Sequence, residues 1–363
     1  MTGGFELRHL RTLVTRFGII EHARGAEPRL EAGICLDDVA RLLVFASRES
    51  QLLRSTGGGF DDGTLIDWIG VALDFMELAH LGSGRFLDRR TVDGQWSSAV
   101  AGDDACGRAL WGLGEAVADL ADVRIADRAR RLFESASTFR SIHPRSSAFS
   151  VRGAASILAR DPGHRPSRGI ITDVSRSFRD LIDHVGSRAG TDWMWPDRGL
   201  TYANAVIPEM ILMVGREQAD PETIEIGLSL LEWLVDLETH ELGHLSPTPT
   251  SGRTRQQRAP GFDQQPIEVS TLADACATAL AITGVESWSW NIDRCIGWFE
   301  GRNDNGLPMI DENTGGGYDG LTGDGVNLNQ GAESTLAMLT TLQHRDLAHP
   351  AGSPRGRGEF GTR

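Results

Sequence analysis

Acidic and amide side chains cluster at six places in this sequence, each beside a stretch of small and apolar residues. Asp37 and Asp38 precede the first stretch, Glu268 lies in the fifth and Glu333 in the sixth. Paired carboxyl groups can perform acid–base chemistry, one donating a proton while the other holds a water molecule. Amides and aromatic rings beside them suit a carbohydrate, because hydroxyls hydrogen-bond to amides and sugar C–H faces stack on rings.

We predict Asp38 and Glu268 as a catalytic pair of carboxyl groups, one acting as an acid and the other as a base. Apolar neighbours such as Ile267 would raise the pKa of Glu268, whereas the polar neighbours Asp37 and Arg41 would keep Asp38 ionised. The helix N-terminus at Glu268 opposes a rise in the pKa of this residue, so the roles of acid and base could be reversed between Glu268 and Asp38. The carboxylates held in reserve are Asp37, Asp263 and Glu333.

The predicted substrate-binding residues are aromatic, amide and charged side chains of the same loops. They are Trp96, Asp104, Arg145, Trp193, Trp195, Tyr202, Asn204, Gln264, Gln265, Tyr318, Asp319, Asn329 and Gln330. Trp193 and Trp195 have loop spacing and are predicted to form a sugar platform. Trp111, Trp233 and Trp298 lie in helical stretches and are predicted to be core residues.

Helix capping is an alternative explanation for several of these carboxylates. Asp37 or Asp38 could cap a helix, with Arg41 as its partner one turn later. Gln265-x-x-Glu268 and Gln330-x-x-Glu333 have a spacing similar to that of a capping box. Glu209 lies in an apolar run, where it either lines a pocket or forms a buried pair, because an unpaired buried carboxylate is costly.

Composition excludes several classes of function. The 363 residues carry a net charge of −14, which argues against nucleic-acid binding. All 36 basic residues are arginine, which excludes lysine Schiff bases and the P-loop lysine. We expect no cofactor and no metal: the acidic loops around Asp304 and Asp319 lack calcium-ligand spacing, and no histidine pair with H-x-x-x-H or H-E-x-x-H spacing, as in a zinc hydrolase, is expected. Cys35, Cys106, Cys276 and Cys295 are predicted to be buried free thiols.

A sixfold pattern of paired helices predicts the fold. Helices of small and apolar residues begin near Asp38, Asp104, Ser146, Asn204, Gln265 and Gln330. Amphipathic stretches lie between them: Leu7 to Ile20, Leu65 to Leu81, Glu115 to Phe133, Ile171 to Val185, Pro221 to Leu237 and Val285 to Phe299. Strand signals are almost absent. We therefore predict an all-α (α/α)6 toroid, with six inner and six outer helices.

The toroid is predicted to occupy residues 1–345 as a single domain. Residues 346–363 have no periodicity and are expected to form a disordered tail. Ser246 to Gly261 is polar and proline-rich, and is predicted to form a loop that could act as a mobile lid. The N-terminus lacks the apolar run of a signal peptide and no stretch approaches 18 apolar residues, so we expect a cytoplasmic protein without a membrane partner. The oligomeric state is left open.

Several strings of residues identify a family resemblance: GICLDDVARLL, YANAVIPEMIL, GFDQQPIEVSTLADAC, WFEGRNDNG and GGGYDGLTGDGVNLNQGAESTLAML. Over Ile19 to Leu342 the chain resembles bacterial (α/α)6-toroid proteins whose genes accompany glycosyltransferases and mannoside-processing enzymes. Within this group it is similar to the methylmannose polysaccharide hydrolases. Val39 within DDVAR departs from the subgroup's motif.

The resemblance implies an endo-acting glycoside hydrolase that cuts α-1,4-linked, partly 6-O-methylated mannan. It also implies an inverting mechanism, for which the carboxyl groups of Asp38 and Glu268 are expected about 6.5–9.5 Å apart. Such an enzyme needs an extended groove, which we expect across the mouth of the toroid along Trp96, Trp193, Trp195 and Tyr202. Two alternatives remain open. One is a non-catalytic glycan-binding partner of a glycosyltransferase, and the other is a toroid isomerase or cyclase.

Overall fold

The computed structural model describes residues 7–56, 62–257 and 261–348, and most of these residues are helical. In chain order the helices of this part are α1 (Arg8–Leu13), α2 (Leu36–Thr56), α3 (Asp62–Ala79), α4 (Asp103–Asp119), α5 (Val123–Ala136), α6 (Pro144–Arg160), α7 (Arg165–Ser177), α8 (Arg179–Gly186), α9 (Val206–Gln218), α10 (Pro221–Leu237), α11 (Pro266–Thr283), α12 (Ser287–Phe299) and α13 (Ala332–Ala348).

Six helices form a closed inner ring in the order α2, α4, α6, α9, α11 and α13, and α13 packs back against α2. Each inner helix also packs against an outer one: α2 on α3, α4 on α5, α6 on α7, α9 on α10, α11 on α12 and α13 on α1. Helix α8 follows α7 in the outer layer and contacts α10. The predicted (α/α)6 toroid is therefore confirmed.

Side-chain size explains why particular helices lie inside. Every residue of α4 from Ala105 to Val117 is buried, whereas α5 buries only one face. Helices α4 and α6 approach to backbone contact, because a Cβ atom at Gly114 would overlap the backbone of Gly153. Helices that are small and apolar all round fill an interior, and amphipathic helices cover them.

The inner helices begin within two residues of their predicted starts, but three outer predictions need correction. The stretch from Ile171 to Val185 covers the end of α7 and most of α8, with a break at Phe178. Only Arg8–Leu13 of the first amphipathic stretch is helical, since the chain then forms a hairpin that turns before Gly18, a residue with φ of 139°. The stretch from Glu115 to Phe133 covers the end of α4 and most of α5. Periodicity did not detect the break at Leu120, where the backbone becomes extended.

Short antiparallel strand pairs lie in the loops that precede the inner helices. They are β1 (Val14–Thr15) with β2 (Gly18–Ile19), β3 (Ala23–Arg24) with β4 (Glu27–Pro28), β5 (Ile34–Cys35) with β6 (Arg89–Arg90), β7 (Gly199–Leu200) with β8 (Arg253–Thr254), β9 (Ile310–Asp311) with β10 (Gly316–Gly317), and β11 (Gly320–Thr322) with β12 (Gly325–Asn327). In the β5–β6 pair Cys35 faces Arg89. The β5–β6 and β7–β8 pairs join loops that precede different inner helices, whereas the other four pairs are hairpins within one loop. These loops lie at one end of the ring, which we call the mouth.

The loop predicted as a lid is anchored over its described part. The backbone N–H and hydroxyl of Thr248 donate to the buried carboxylate of Glu238, at 2.9 and 2.6 Å. The buried Arg253 donates to the carbonyl of Leu237 at 2.8 Å. These contacts do not favour a mobile lid. Residues 258–260 of this loop lie outside the described residues.

The two ends of the predicted domain are only partly described. Helix α13 continues to Ala348, three residues beyond the predicted boundary, and the predicted tail from residue 349 lies outside the described residues. All four cysteines are buried and free, as predicted. Among the described helices, none combines the length and the apolar character that crossing a bilayer requires.

Candidate active site

A polar cavity of about 550 Å³ opens at the mouth, against the N-terminal ends of α2, α4, α11 and α13. Seven carboxylates line it: Glu21, Asp37, Asp38, Asp88, Asp104, Asp319 and Glu333. Three arginines also line it, Arg41, Arg89 and Arg108, and each is paired with a carboxylate of the same cavity. The cavity is therefore acidic, which disfavours an anionic ligand.

Asp37 and Asp38 occupy the first turn of α2 and bind two arginines. Arg41 Nη1 lies 2.7 Å from an oxygen of each aspartate, and Arg108 Nη1 lies 2.8 Å from the other oxygen of Asp37. The sulfur of Cys35 donates to Asp38 at 3.3 Å. Both aspartates thus bind Arg41, as the capping alternative assumed, and both also line the cavity.

Burial decides the protonation of this pair. It raises the pKa of Asp38 to about 7, because the attraction of Arg41 offsets the desolvation only partly and the repulsion from Asp37 and Glu333 adds to the rise. Burial also acts on Asp37, but the guanidinium groups of Arg108 and Arg41 outweigh it and lower the pKa. The prediction that polar neighbours keep Asp38 ionised is therefore wrong, since desolvation dominates.

Glu333 joins this cluster from α13, the inner helix that packs beside α2. It lies in the first turn of α13, and its Oε2 atom is 2.6 Å from Arg41 Nη2. Its side chain is 42% exposed, so it faces the solvent of the cavity. The bond to Arg41 is not a capping interaction. Asp38 and Glu333 therefore lie side by side on one guanidinium.

Glu268 does not line the cavity, although the nearby Gln265 does. Its carboxylate accepts hydrogen bonds from the backbone N–H groups of Ala203, at 2.6 Å, and Asn204, at 3.3 Å. Burial raises the pKa of Glu268 to about 8, in the predicted direction, and the buried Glu238 raises it further. Gln265 makes no side-chain cap, so the capping-box alternative does not hold here.

Arg145, Tyr202 and Asn204 form a group next to Glu268 rather than in the cavity wall. Arg145 donates to the carbonyl of Tyr202 at 2.6 Å and to Asn204 Oδ1 at 3.2 Å. The Asn204 amide donates to Glu268 at 3.3 Å. Tyr202 is exposed at the mouth, and the guanidinium of Arg145 lies over its ring.

Trp193 and Trp195 are core residues and do not form the predicted sugar platform. They are 8% and 1% exposed, and both rings pack against Trp233 of α10. A sugar cannot stack on a ring that other side chains cover. Trp96 is partly buried, against Phe75 and Arg90, and does not line the cavity. The predicted aromatic groove is thus not assembled from these rings.

Among the predicted amide and acidic residues, Gln265, Asp104 and Asp319 line the cavity. Asp104 accepts a short hydrogen bond from the hydroxyl of Ser146, and Asp319 accepts one from the backbone of Gly331 at 2.8 Å. Asp263 is exposed and does not line the cavity.

The other predicted amides support the mouth loops instead. Gln264 and Gln330 are buried, the first bound to Asp304 and Trp298, the second to Asp311 and Thr314. Asn329 accepts from the backbone of Gly25. Tyr318 packs against the core. The position of an amide next to a glycine-rich loop does not by itself show whether it lines the cavity or supports the loop.

Several residues that line the cavity were not predicted, namely Glu21, His22, Cys35, Asp88, Arg89 and Arg108. Arg89 pairs with Glu21, including one contact of 2.9 Å, and the β5–β6 pairing brings these loops together. Arg108 follows Asp104 by one helical turn, and this spacing could have indicated from the sequence that Arg108 also faces the cavity. The approach of Glu21 to Arg89 depends on tertiary structure.

Glu209 forms a buried pair, one of its two predicted outcomes. It lies 3.3 Å from Arg152, and Thr278 donates to it at 2.9 Å. Arg152 also binds Asp274 at 2.6 Å, deep within the ring. This charged cluster lies in the core below the cavity.

The prediction that no histidine pair has the spacing of a zinc site is wrong for one string of residues. His240-Glu241-Leu242-Gly243-His244 has H-E-x-x-H spacing, the pattern that binds zinc when it lies on a helix. Here the string follows the end of α10 and forms a tight turn, in which His240 N–H donates to the carbonyl of His244 at 2.9 Å. The arrangement is thus not that of a helical zinc hydrolase.

Comparison with known proteins supports the fold but identifies no family. No family model matches this chain, and no curated protein matches it by sequence. A sugar epimerase from a ruminal bacterium is similar in structure, with 13% identity, a TM-score of 0.66, and coverage of 94% of this chain and 97% of that one. A D-mannose isomerase has 10% identity, a TM-score of 0.61, and coverage of 93% and 94%.

A glycoside hydrolase family 9 endoglucanase, J30, is also similar in structure. It has 12% identity, a TM-score of 0.56, and coverage of 90% of this chain and 73% of that one. At such identities the similarity extends to the fold, the (α/α)6 toroid, and does not by itself assign an activity.

Proposed function

We propose that this protein is a carbohydrate-active enzyme, a glycoside hydrolase that cleaves internal α-1,4-mannosidic bonds of a mannan or methylmannose chain. One observation carries the proposal: three of the five strings that resemble the toroid family contribute residues to one cavity. GICLDDVARLL contributes Asp38 and Arg41, GFDQQPIEV contributes Gln265, and the string from Gly315 to Leu339 contributes Asp319 and Glu333.

The charge of the cavity supports a neutral glycan as substrate. Carboxylates outnumber arginines, and the guanidinium groups of Arg41, Arg89 and Arg108 are already paired with cavity carboxylates. A phosphorylated or uronic sugar would meet repulsion there, whereas hydroxyl groups can donate hydrogen bonds to the carboxylates.

We assign Asp38 as the proton donor. Its pKa of about 7 keeps a large protonated fraction at neutral pH, as a general acid requires. Asp38 would donate this proton to the glycosidic oxygen as the bond from that oxygen to C1 breaks. Water then supplies the hydroxyl group at C1 and returns a proton to the site.

We propose Glu333 as the second catalytic carboxylate, because it lines the cavity and shares a contact with Asp38. Both carboxyl groups bind the same guanidinium, that of Arg41. Such proximity suits a retaining mechanism, in which the two groups are about 5–5.5 Å apart and the second attacks C1. The pair predicted from the sequence, Asp38 with Glu268, would instead imply inversion.

The stereochemistry of hydrolysis distinguishes the two pairs. Purified protein is incubated with α-1,4-mannan oligosaccharides, and proton NMR follows chain length and the first anomer released. An α-product supports Asp38 with Glu333, and a β-product supports a carboxylate farther away, such as Glu268. The Glu333→Gln and Glu268→Gln variants are compared, with Asp263→Asn as the matched control at an exposed carboxylate.

A sugar epimerase or isomerase is the second candidate. The observation that favours it is the nearly complete mutual coverage with the sugar epimerase and the D-mannose isomerase, compared with partial coverage of the endoglucanase. Such reactions require proton abstraction beside a carbonyl, and a carboxyl with a pKa near 7 can also do this. In D₂O an epimerase or isomerase incorporates deuterium next to C1, whereas hydrolysis creates reducing ends without C–D bonds.

A glycan-binding protein without catalysis gives a third result in the same experiment. Mannan would then shift the thermal unfolding of the protein while its chain length stays constant. If the wild type binds mannan without shortening it, and Asp38→Asn binds mannan with the same affinity, the hydrolase proposal is overturned.

A further inference from the structure

We propose that His240, His244 and Asp304 form a binding site for one divalent transition-metal ion, outside the cavity. A nitrogen of each imidazole and a carboxylate oxygen of Asp304 all lie within 4.8 Å of one another. Ligand bonds to such an ion are about 2.0–2.2 Å, so small side-chain rotations would bring all three atoms into coordination distance.

The turn itself brings the two histidines together. His240 and His244 face each other across the turn, where His240 N–H bonds to His244 C=O and Gly243 adopts a positive φ of 87°. Their rings stack with centroids 4.4 Å apart and planes inclined by only 12°. The spacing of four residues thus puts both imidazoles on one side of the turn, although no helix is involved.

Asp304 reaches this pair from the loop after α12. Its side chain is 2% exposed, and Oδ1 lies 2.9 Å from His244 Nε2. Oδ2 accepts from the hydroxyl of Ser246 at 2.7 Å and from the amide of Gln264. Partners of this kind hold a ligating carboxylate in place, as outer residues do at known metal sites.

The donor set indicates the class of ion. Two imidazoles and one carboxylate suit Zn²⁺, Co²⁺, Ni²⁺ or Cu²⁺ better than Mg²⁺ or Ca²⁺, which prefer oxygen ligands. His240 is partly exposed, so an ion can enter from solvent and keep a water molecule as its fourth ligand. Binding would replace the hydrogen bond between His244 and Asp304, and also that from Leu242 N–H to His240 Nδ1 if this nitrogen is the ligand.

The expected role of the ion is structural. Glu241 is exposed, and in a turn it lacks the helical position from which the H-E-x-x-H glutamate acts as a base. The ion would connect the turn after α10 to the loop after α12. Through Gln264, which bonds to Asp304 and precedes the cavity residue Gln265, it would also restrain one side of the cavity.

The test is a titration of the metal-free full-length protein with Co²⁺ and Zn²⁺, followed by visible absorption for Co²⁺ and by calorimetry for Zn²⁺. We expect one equivalent to bind and to raise the melting temperature. His240→Ala, whose side chain is partly exposed, and His244→Ala should each weaken binding at least tenfold. His184→Ala, an exposed histidine on α8, is the matched control and should bind as the wild type does.

Two results would overturn the site. One is the absence of stoichiometric binding by the wild-type protein at millimolar metal. The other is binding that survives His240→Ala and His244→Ala but is lost in Cys35→Ser, since Glu21, Cys35 and Asp38 form a second group of potential ligands inside the cavity. Neither result depends on mannan cleavage, so this test is independent of the proposed hydrolase activity.

Discussion

Arg41 of α2 donates to Glu333 of α13 across 2.6 Å, and so connects the first inner helix to the last. The same guanidinium binds Asp37 and Asp38. Arg41 is 6% exposed, and its Nε atom has no hydrogen-bond partner in the described part of the chain. One side chain therefore links the two helices that close the ring and also holds the carboxylate cluster of the cavity together.

Replacement of this side chain tests that role. Arg41→Met should destabilise the protein by about 3–5 kcal/mol at neutral pH, because it leaves buried carboxylates without their cation. The loss should shrink toward pH 5, where a larger fraction of these carboxyl groups is protonated. Urea unfolding at both pH values measures the effect. Arg131→Met, at an exposed arginine of α5, is the control and should change stability little.

Asp38 is expected to govern the pH dependence of mannan cleavage. A general acid acts in its protonated form, so kcat should fall as pH rises above about 7, the pKa of this carboxyl. Asp38→Asn should lower kcat by about 10²–10⁴-fold and keep the circular dichroism spectrum of the wild type. The control variant Asp263→Asn should retain wild-type turnover. If Asp38→Asn also retains it, Asp38 is excluded as the proton donor.

Glu268 is expected to make stability depend on pH. Its pKa is about 8 in the folded protein and near 4.5 when unfolded, so the folded state retains a proton that the unfolded state loses. The free energy of unfolding should therefore decline as pH rises from about 4.5 to about 8. Asp38, with a pKa of about 7, adds to this decline.

The Glu268→Gln variant should show a smaller decline over the same pH range. It should also lose about 1–3 kcal/mol at pH 5, because the new amide N–H₂ group cannot accept the backbone N–H of Asn204. Denaturant unfolding between pH 5 and pH 8 provides the comparison. Glu225→Gln, at an exposed position of α10, should preserve the wild-type slope.

Trp195 should behave as a core residue rather than as part of a binding surface. Trp195→Ala removes a ring that is 1% exposed and stacked on Trp233, and should cost about 3–5 kcal/mol. Trp290→Ala, on the outer helix α12 with 61% exposure, should change stability by much less. Thermal unfolding of both variants decides this, and unchanged stability in Trp195→Ala would restore the sugar-platform hypothesis.

The sequence by itself determined the architecture and much of the cavity. Period-3.6 patterns and residue size separate inner from outer helices, because both properties act within a single helix and its immediate neighbours. Loops before inner helices must open at one end of the ring, so Asp37, Asp38, Asp104 and Glu333 could be assigned to the cavity. The hairpin at Gly18 escaped detection, since a short turn interrupts the periodicity only locally.

Only the tertiary structure decided which loop residues line the cavity and which support it. Trp195 and Gln264 have the same loop setting in the sequence as Gln265, but other elements cover the first two. The pKa of Asp38 likewise depends on desolvation, which is a property of the whole environment rather than of the neighbouring residues in the chain. Asp304 meets His244 from 60 residues away, a contact that local patterns cannot encode.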